Sequence, residues 1–188
     1  DMAKLTTTSY VMLGLLTSRD FSAYDLAEQA GRGLADLWSR ADRQRYEAPK
    51  KLVELGLATA RTEEHGRRSR TVYSITDAGR DALAAWLAEE PRPLTIEFEG
   101  MVRVLVADQG TVADLRRTLE AIEADAQAGI DRYVAFARFL VATGGTFPER
   151  KHTFALANRF MVGHFTQLRD WARWALAEID DWPDTDTV

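Results

Sequence analysis

The 188-residue sequence contains no cysteine, three histidines and five prolines. Without thiols there is no disulfide framework and no thiolate metal site, in keeping with a reducing compartment. His65, His152 and His164 are scattered, and no two stand three or four positions apart, so no metal site is expected. The most apolar run, YVAFARFLVA, is too short to span a bilayer and includes Arg138. The chain reads as cytoplasmic, with Asp1 ahead of Met2 as a processing remnant and no signal peptide after it. Catalytic signatures are also missing. There is no G-x-S-x-G and no P-loop, and GRGLAD places Asp36 where a dinucleotide fingerprint needs its third glycine. No enzymatic activity and no cofactor are expected.

What the sequence does have is a core and an uneven charge. At 46% hydrophobic and 28% charged it suits one or two compact domains. The formal net charge is −5, yet residues 40–70 sum to +4 and the remainder to −9. A local basic field in an acidic molecule fits a polyanion site of limited size better than indiscriminate coating of nucleic acid. Its densest part is HGRRSR, residues 65–70.

Periodicity places that knot. GLATARTEE and RTVYSI alternate apolar and polar positions and are rich in β-branched residues, which predicts a two-stranded hairpin with a longer loop around Gly66. Arg67 and Arg68 then project from its end, with Arg70 at the strand base. Thr76 is an N-cap for DAGRDALAAWLAEE, whose apolar stripe is Ala78, Ala82, Leu83, Trp86 and Leu87. Upstream, TTTSYVMLGLL is apolar on more than one face and predicts a buried helix. Ser22 and Asp25 open a second helix, expected to end near Gly31 and Gly33. A third is expected from about Asp42 to Gly56, with Tyr46, Pro49, Leu52 and Val53 on one side and Arg43, Gln44, Lys50 and Lys51 on the other. The fold class expected is mainly α with a small β-hairpin: an N-terminal winged helix-turn-helix over residues 2–90 and a long-helix dimerisation domain over 91–182, followed by a frayed tail over 183–188.

A helix entering the major groove N-terminus first, beside a basic loop on the neighbouring backbone or in the minor groove, makes double-stranded DNA the expected partner. Arg43 and Gln44 would meet base edges, Lys50, Lys51, Arg67, Arg68 and Arg70 the backbone, and Tyr46 either the core or a phosphate. An alternative remains: a winged-helix module whose basic hairpin docks on an acidic protein.

YVMLGLL, SAYDL, Trp38, Tyr46, ELGL at 54–57 and YSITDAGRDALAAWL together resemble the PadR family of bacterial transcriptional regulators, over roughly the first ninety residues. The resemblance implies a homodimeric, repressor-like protein that binds an inverted repeat and is sometimes released by a small molecule. Arg45 stands where the family often has an aliphatic residue and Pro49 where leucine is usual. The proline predicts a kink near Ala48.

In the C-terminal half, PRPLTIEFEG reads as a linker leading into a helix over about 96–107, stopped by Gly110. Thr111 and Asp114 form a capping box for a long helix whose stripe is Val112, Leu115, Leu119, Ile122, Ala126, Gly129, Tyr133, Phe136 and Leu140. After TGGTFP a second long helix, about 149–179, carries Phe154, Ala157, Met161, His164 or Phe165, Leu168, Trp171, Ala175 and Ile179 on one side. Such a pair looks too thin to form a core alone, so Leu115, Leu119, Ile122, Tyr133, Phe136, Leu140, Phe165 and Leu168 are expected at a homodimer interface. Phe160, Trp171 and Trp174 are candidates for binding a small hydrophobic effector near the junction of the halves, although aromatics at helical spacing are more often packing residues.

Overall fold

The computed structural model describes residues 5–34, 36–38, 46–65 and 68–185. Two compact units divide between Pro93 and Leu94.

In the first unit, α1 (Thr7–Leu16) starts at a reciprocal cap that the sequence reading missed. The Thr6 hydroxyl accepts from the Ser9 amide, and the Ser9 side chain accepts from the Thr6 amide. Its apolar surface is broad because α1 is the hub, and Met12, Leu13 and Leu16 are buried. A two-residue strand, β1 (Phe21–Ser22), precedes α2 (Ala23–Leu34). The Ser22 hydroxyl accepts from the Asp25 amide at 3.1 Å and donates to its carboxylate at 2.7 Å. Helix α2 runs through Gly31 and Gly33, where a stop was expected. A glycine lowers helix propensity by about 1 kcal/mol without ending a helix whose Leu26, Ala27 and Ala30 are buried.

Helix α3 (Ala48–Glu54) is shorter than the expected helix, whose residues 42–45 lie outside those described. Pro49 falls in its first turn, where no intrahelical amide bond is lost, and this replaces the expected kink. Gly56, at φ 71°, closes the helix while the Leu57 amide donates back to the Leu52 carbonyl.

The hairpin is β2 (Ala58–His65) and β3 (Arg68–Ile75), and β1 adds to the far edge of β3, giving three antiparallel strands rather than two. Pairing extends from Ala58 with Ile75 to His65 with Arg68, so only residues 66 and 67 lie between paired positions and the expected longer loop is absent. Arg70 is not at the strand base: it faces Glu63, two pairs from that end. Tyr73 pairs with Phe21 and Ala60 and turns to the core, whereas Ser22, Val72 and Arg61 share the opposite face.

Helix α4 (Asp77–Ala88) begins at Thr76, whose hydroxyl accepts from the Gly79 amide and donates to the Gly56 carbonyl. A Cβ on Gly79 would stand 2.1 Å from the Leu57 carbonyl oxygen, so the packing of α4 on the strand entry requires glycine there. Trp86 stacks on Tyr10 of α1 at 4.5 Å, while Ala78 and Leu87 of the expected stripe are exposed.

In the second unit, α5 (Glu99–Leu105) starts later than expected, and Leu94 and Ile96 ahead of it are exposed. Helix α6 (Val112–Thr143) opens on the Thr111 and Asp114 capping box. Gly144 and Gly145, both at φ 81°, turn the chain into α7 (Lys151–Glu178). The two long helices close on each other. Leu115 and Leu119 pack with Ala175 and Ile179, and Ala126 packs with Met161 and Phe165. Ion pairs from Arg173 to Glu123 (2.6 Å) and Arg116 to Asp180 (2.8 Å) flank the seam. Gly129 belongs in the stripe because the Phe165 ring lies over it, where a Cβ would meet ring atoms at 2.6 Å. The expectation that this seam needs a second copy to bury it is therefore corrected: Leu115, Leu119, Ile122, Leu140 and Phe165 are buried within one chain, Tyr133 and Leu168 pack beside them, and Phe136 stays 37% exposed. On α7, Ala157 and His164 are exposed and Asn158 is buried instead. The start of the tail is tied down, since the Thr185 hydroxyl donates to the Gly110 carbonyl at 3.0 Å.

Candidate nucleic-acid interface

The predicted contact residues separate by position. Arg43, Gln44 and Arg67 lie outside the described residues, and Arg68 is described only through its backbone pairing with His65. Tyr46 is 58% exposed in the turn ahead of α3, which places it at the surface rather than in the core. Lys50 and Lys51 are exposed on α3 because Pro49 and Leu52 take the inward positions. Lys51 pairs with Glu54 at 3.1 Å, and Lys50 has no ion-pair partner among the described residues.

Arg70 belongs to an ion network that periodicity did not reveal. Glu63 accepts from Arg70 at 3.1 Å and from Arg61 at 2.8 Å. Arg61 also donates to Asp20 and to the Ser74 hydroxyl, each at 2.7 Å. Two arginines and two carboxylates make the network neutral. Hydrogen bonds from Arg70 and then Arg61 hold the Glu63 carboxyl below its ordinary range, and those from Arg61 and Ser74 do the same for Asp20. The Asp20 bond in turn raises Arg61. These groups line a polar cleft of about 440 Å³ beside the ribbon, together with Arg19, Ser22, Asp25 and Gln29. The Arg61 and Glu63 spacing on one strand face was a usable signal; Asp20, forty-one residues from Arg61, was not.

The effector candidates are not brought together. Phe160 and Trp174 are more than half exposed and lie fourteen residues apart on one helix, about 21 Å at 1.5 Å per residue. Trp171 packs against the Leu115, Leu119, Ala175 and Ile179 cluster.

A small helical hub, a helix with exposed lysines, and an antiparallel ribbon ending in the basic HGRRSR segment define a winged-helix DNA-binding module. Residues 12–85 match the model of the Transcriptional regulator PadR-like family. The Negative transcriptional regulator PadR of Bacillus subtilis (strain 168) is 28% identical over 163 residues, covering 76% of this chain and 90% of the relative. In shape the chain matches Bacillus subtilis PadR in complex with operator DNA at a TM-score of 0.81 and 24% identity, over 95% of this chain and all of that one. It also matches Bacillus subtilis PadR in complex with p-coumaric acid at 0.72 and 23%, over 94% of this chain and 100% of the other. Residues 12–85 thus carry a PadR-like domain, and the family and the relatives are transcriptional regulators rather than enzymes. Among the described residues, no helix is long and apolar enough to cross a membrane.

Proposed function

We propose that the protein is a repressor that binds an inverted-repeat operator as a homodimer and is released by a small hydrophobic effector. The observation that carries the DNA reading is the shared location of basic residues: exposed Lys50 and Lys51 on α3 and the HGRRSR segment on a tight ribbon of the same unit. In this reading Arg43 and Gln44 meet base edges, while Tyr46, Lys50, Lys51, Arg67 and Arg68 hold phosphates, because base contacts specify and phosphate contacts position. Arg70 serves the ribbon through Glu63 and reaches phosphate only when that pair opens.

The Bacillus subtilis relative's role as a negative regulator, and the solved complexes of that relative with operator DNA and p-coumaric acid, support repression and release. Residues 2–90 act as the DNA-binding part and residues 91–182 as the assembling part. Because the α6 and α7 seam is filled in cis, a second copy meets other apolar side chains of this unit, of which Val102, Leu105, Leu156 and Trp174 are more than half exposed.

Footprinting of the DNA upstream of the protein's own gene tests the reading. A protected region with dyad symmetry and half-sites about 34–36 Å apart is expected. Equal affinity for that duplex and for random duplex at physiological salt would refute specific regulation, because regulation needs a specificity ratio.

A further inference from the structure

Among the described residues, the ribbon that carries the basic tip has a third strand beside it only near its base. Strand β1 pairs with β3 at two positions, Phe21 with Tyr73 and Ser22 with Val72. Further out, Thr62 with Thr71, Glu63 with Arg70, Glu64 with Ser69 and His65 with Arg68 continue as two strands. From Arg61 to His65 this stretch runs about 13 Å, and an isolated pair of strands is marginally stable in water.

Arg61 stands where the third strand ends. It pairs with Val72, the position nearest the tip that β1 reaches. Its guanidinium joins three segments: Nη1 donates to Asp20, just ahead of β1, and to Ser74 on β3, each at 2.7 Å, while Nε and Nη2 donate to Glu63 at 3.0 and 2.8 Å. The segment that Asp20 begins leads through the Ser22 cap into α2. Val72 lies on the face away from the helical hub, yet it is 4% exposed and lines the cleft that these charges bound. A lone exposed ion pair carries little, whereas one planar guanidinium with several fixed partners sets an angle as well as a distance.

We infer that Arg61, held by Asp20, is a positioning residue for DNA binding: it fixes the tilt of the ribbon against the entry to α2, so that the basic tip and α3 meet one duplex together. Over that length a tilt of about 15° moves the tip by about 3 Å, enough to break a hydrogen bond to phosphate. A ribbon locked beforehand loses less freedom on binding, which raises affinity without any contact from Arg61 to DNA. The inference rests on the DNA reading given above.

Asp20→Ala tests it by sign. The change removes a negative charge from the DNA-binding unit, which by charge alone would strengthen binding. The tie predicts the reverse: affinity for the footprinted operator duplex about three- to fivefold weaker, near the upper end for an exposed pair, with the salt slope unchanged. Asp20→Glu, which keeps the carboxylate, should restore the parent affinity. In a chain carrying Arg67→Ala and Arg68→Ala, whose tip no longer holds phosphate, Asp20→Ala should cost nothing further. A second measurement needs no DNA. The sequence has no cysteine, so Glu64→Cys and Arg80→Cys, both at exposed positions, take spin labels on the ribbon and on α4. In Asp20→Ala their distance distribution should widen by about 3 Å while the circular dichroism stays that of the parent. Equal or tighter operator binding by Asp20→Ala overturns the proposal, as does a loss that persists without the two tip arginines, or an unchanged distribution. A parent chain with no preference for the operator would instead sink the DNA reading, and the spin labels would still show whether Asp20 holds the ribbon.

Discussion

Removing one negative charge from the ribbon should make the protein bind DNA more tightly at low salt. The change is Glu63→Gln. In the parent chain Glu63 accepts from both Arg61 and Arg70, and Asp20 and Ser74 give Arg61 further partners that Arg70 lacks among the described residues. Glutamine therefore leaves Arg61 anchored and frees Arg70, two pairs from the His65 and Arg68 end. Each phosphate neutralised contributes about −0.9 to the slope of log affinity against log salt. One added contact should thus steepen the slope by about 0.9, and over a fourfold change in salt, from about 50 to 200 mM, multiply the loss of affinity by about 3.5. Fluorescence anisotropy on a labelled operator duplex across that range reads the slope directly. Arg70→Ala should leave the slope of the parent chain unchanged and return the Glu63→Gln slope to the parent value. If Arg70→Ala alone flattens the parent slope by about 0.9, Arg70 already holds a phosphate and the account of the network is wrong.

The other predictions concern stability and assembly. Because the folded-state values of Glu63 and Asp20 are depressed, the network stabilises above the ordinary carboxylate range and is lost as pH falls through the folded values. The difference in urea midpoint between the parent and Arg61→Gln should accordingly hold from pH 7 to about 4.5 and close below about 4; a difference that grows on acidification would contradict the assignment. Gly129→Ala should destabilise by about 1 kcal/mol net, since overpacking against the Phe165 ring at about 1–3 kcal/mol outweighs a helix-propensity gain of about 1 kcal/mol. In a Phe165→Leu background the same change should become neutral or stabilising in urea titrations, and an unaltered penalty would dissociate Gly129 from that ring. Leu119→Glu should melt the long helices by circular dichroism rather than yield a folded monomer, because Leu119 is 1% exposed inside a single chain. A variant with full helicity and half the sedimenting mass would restore the intersubunit reading of that position.

Much of the fold could be read from local chemistry. Ser22 with Asp25, Thr76 and Thr111 with Asp114 are caps with short-range signatures, and each is a cap in the structure. Alternation located β2 and β3, and spacing by three and four located α6 and α7. What escaped was set by tertiary partners. The strand β1 is two residues long and exists because Phe21 and Ser22 pair with Tyr73 and Val72, far along the chain. An apolar stripe states that a helix must be covered and says nothing about whether the cover comes from the same chain, so the α6 seam was assigned to a partner when α7 fills it. The basic knot showed the same limit: composition counted Arg70 as a free cation, and only the cross-strand register revealed Glu63 opposite it.

The pairing of α6 with α7 inside one chain bears on how the regulator would respond to its own concentration. Helices that complete each other before meeting a second copy fold in a first-order step, so the refolding rate of this unit and its denaturation midpoint should vary little with dilution. In the homodimer proposed above, joining two such finished units would be a surface encounter, reversible without unfolding. Partners would then exchange between pre-formed pairs on the timescale of dissociation, and newly made chains would enter existing pairs. The amount of regulator competent to occupy a two-fold site would follow protein level through a binding equilibrium, a graded control that an obligate, co-folded dimer cannot provide.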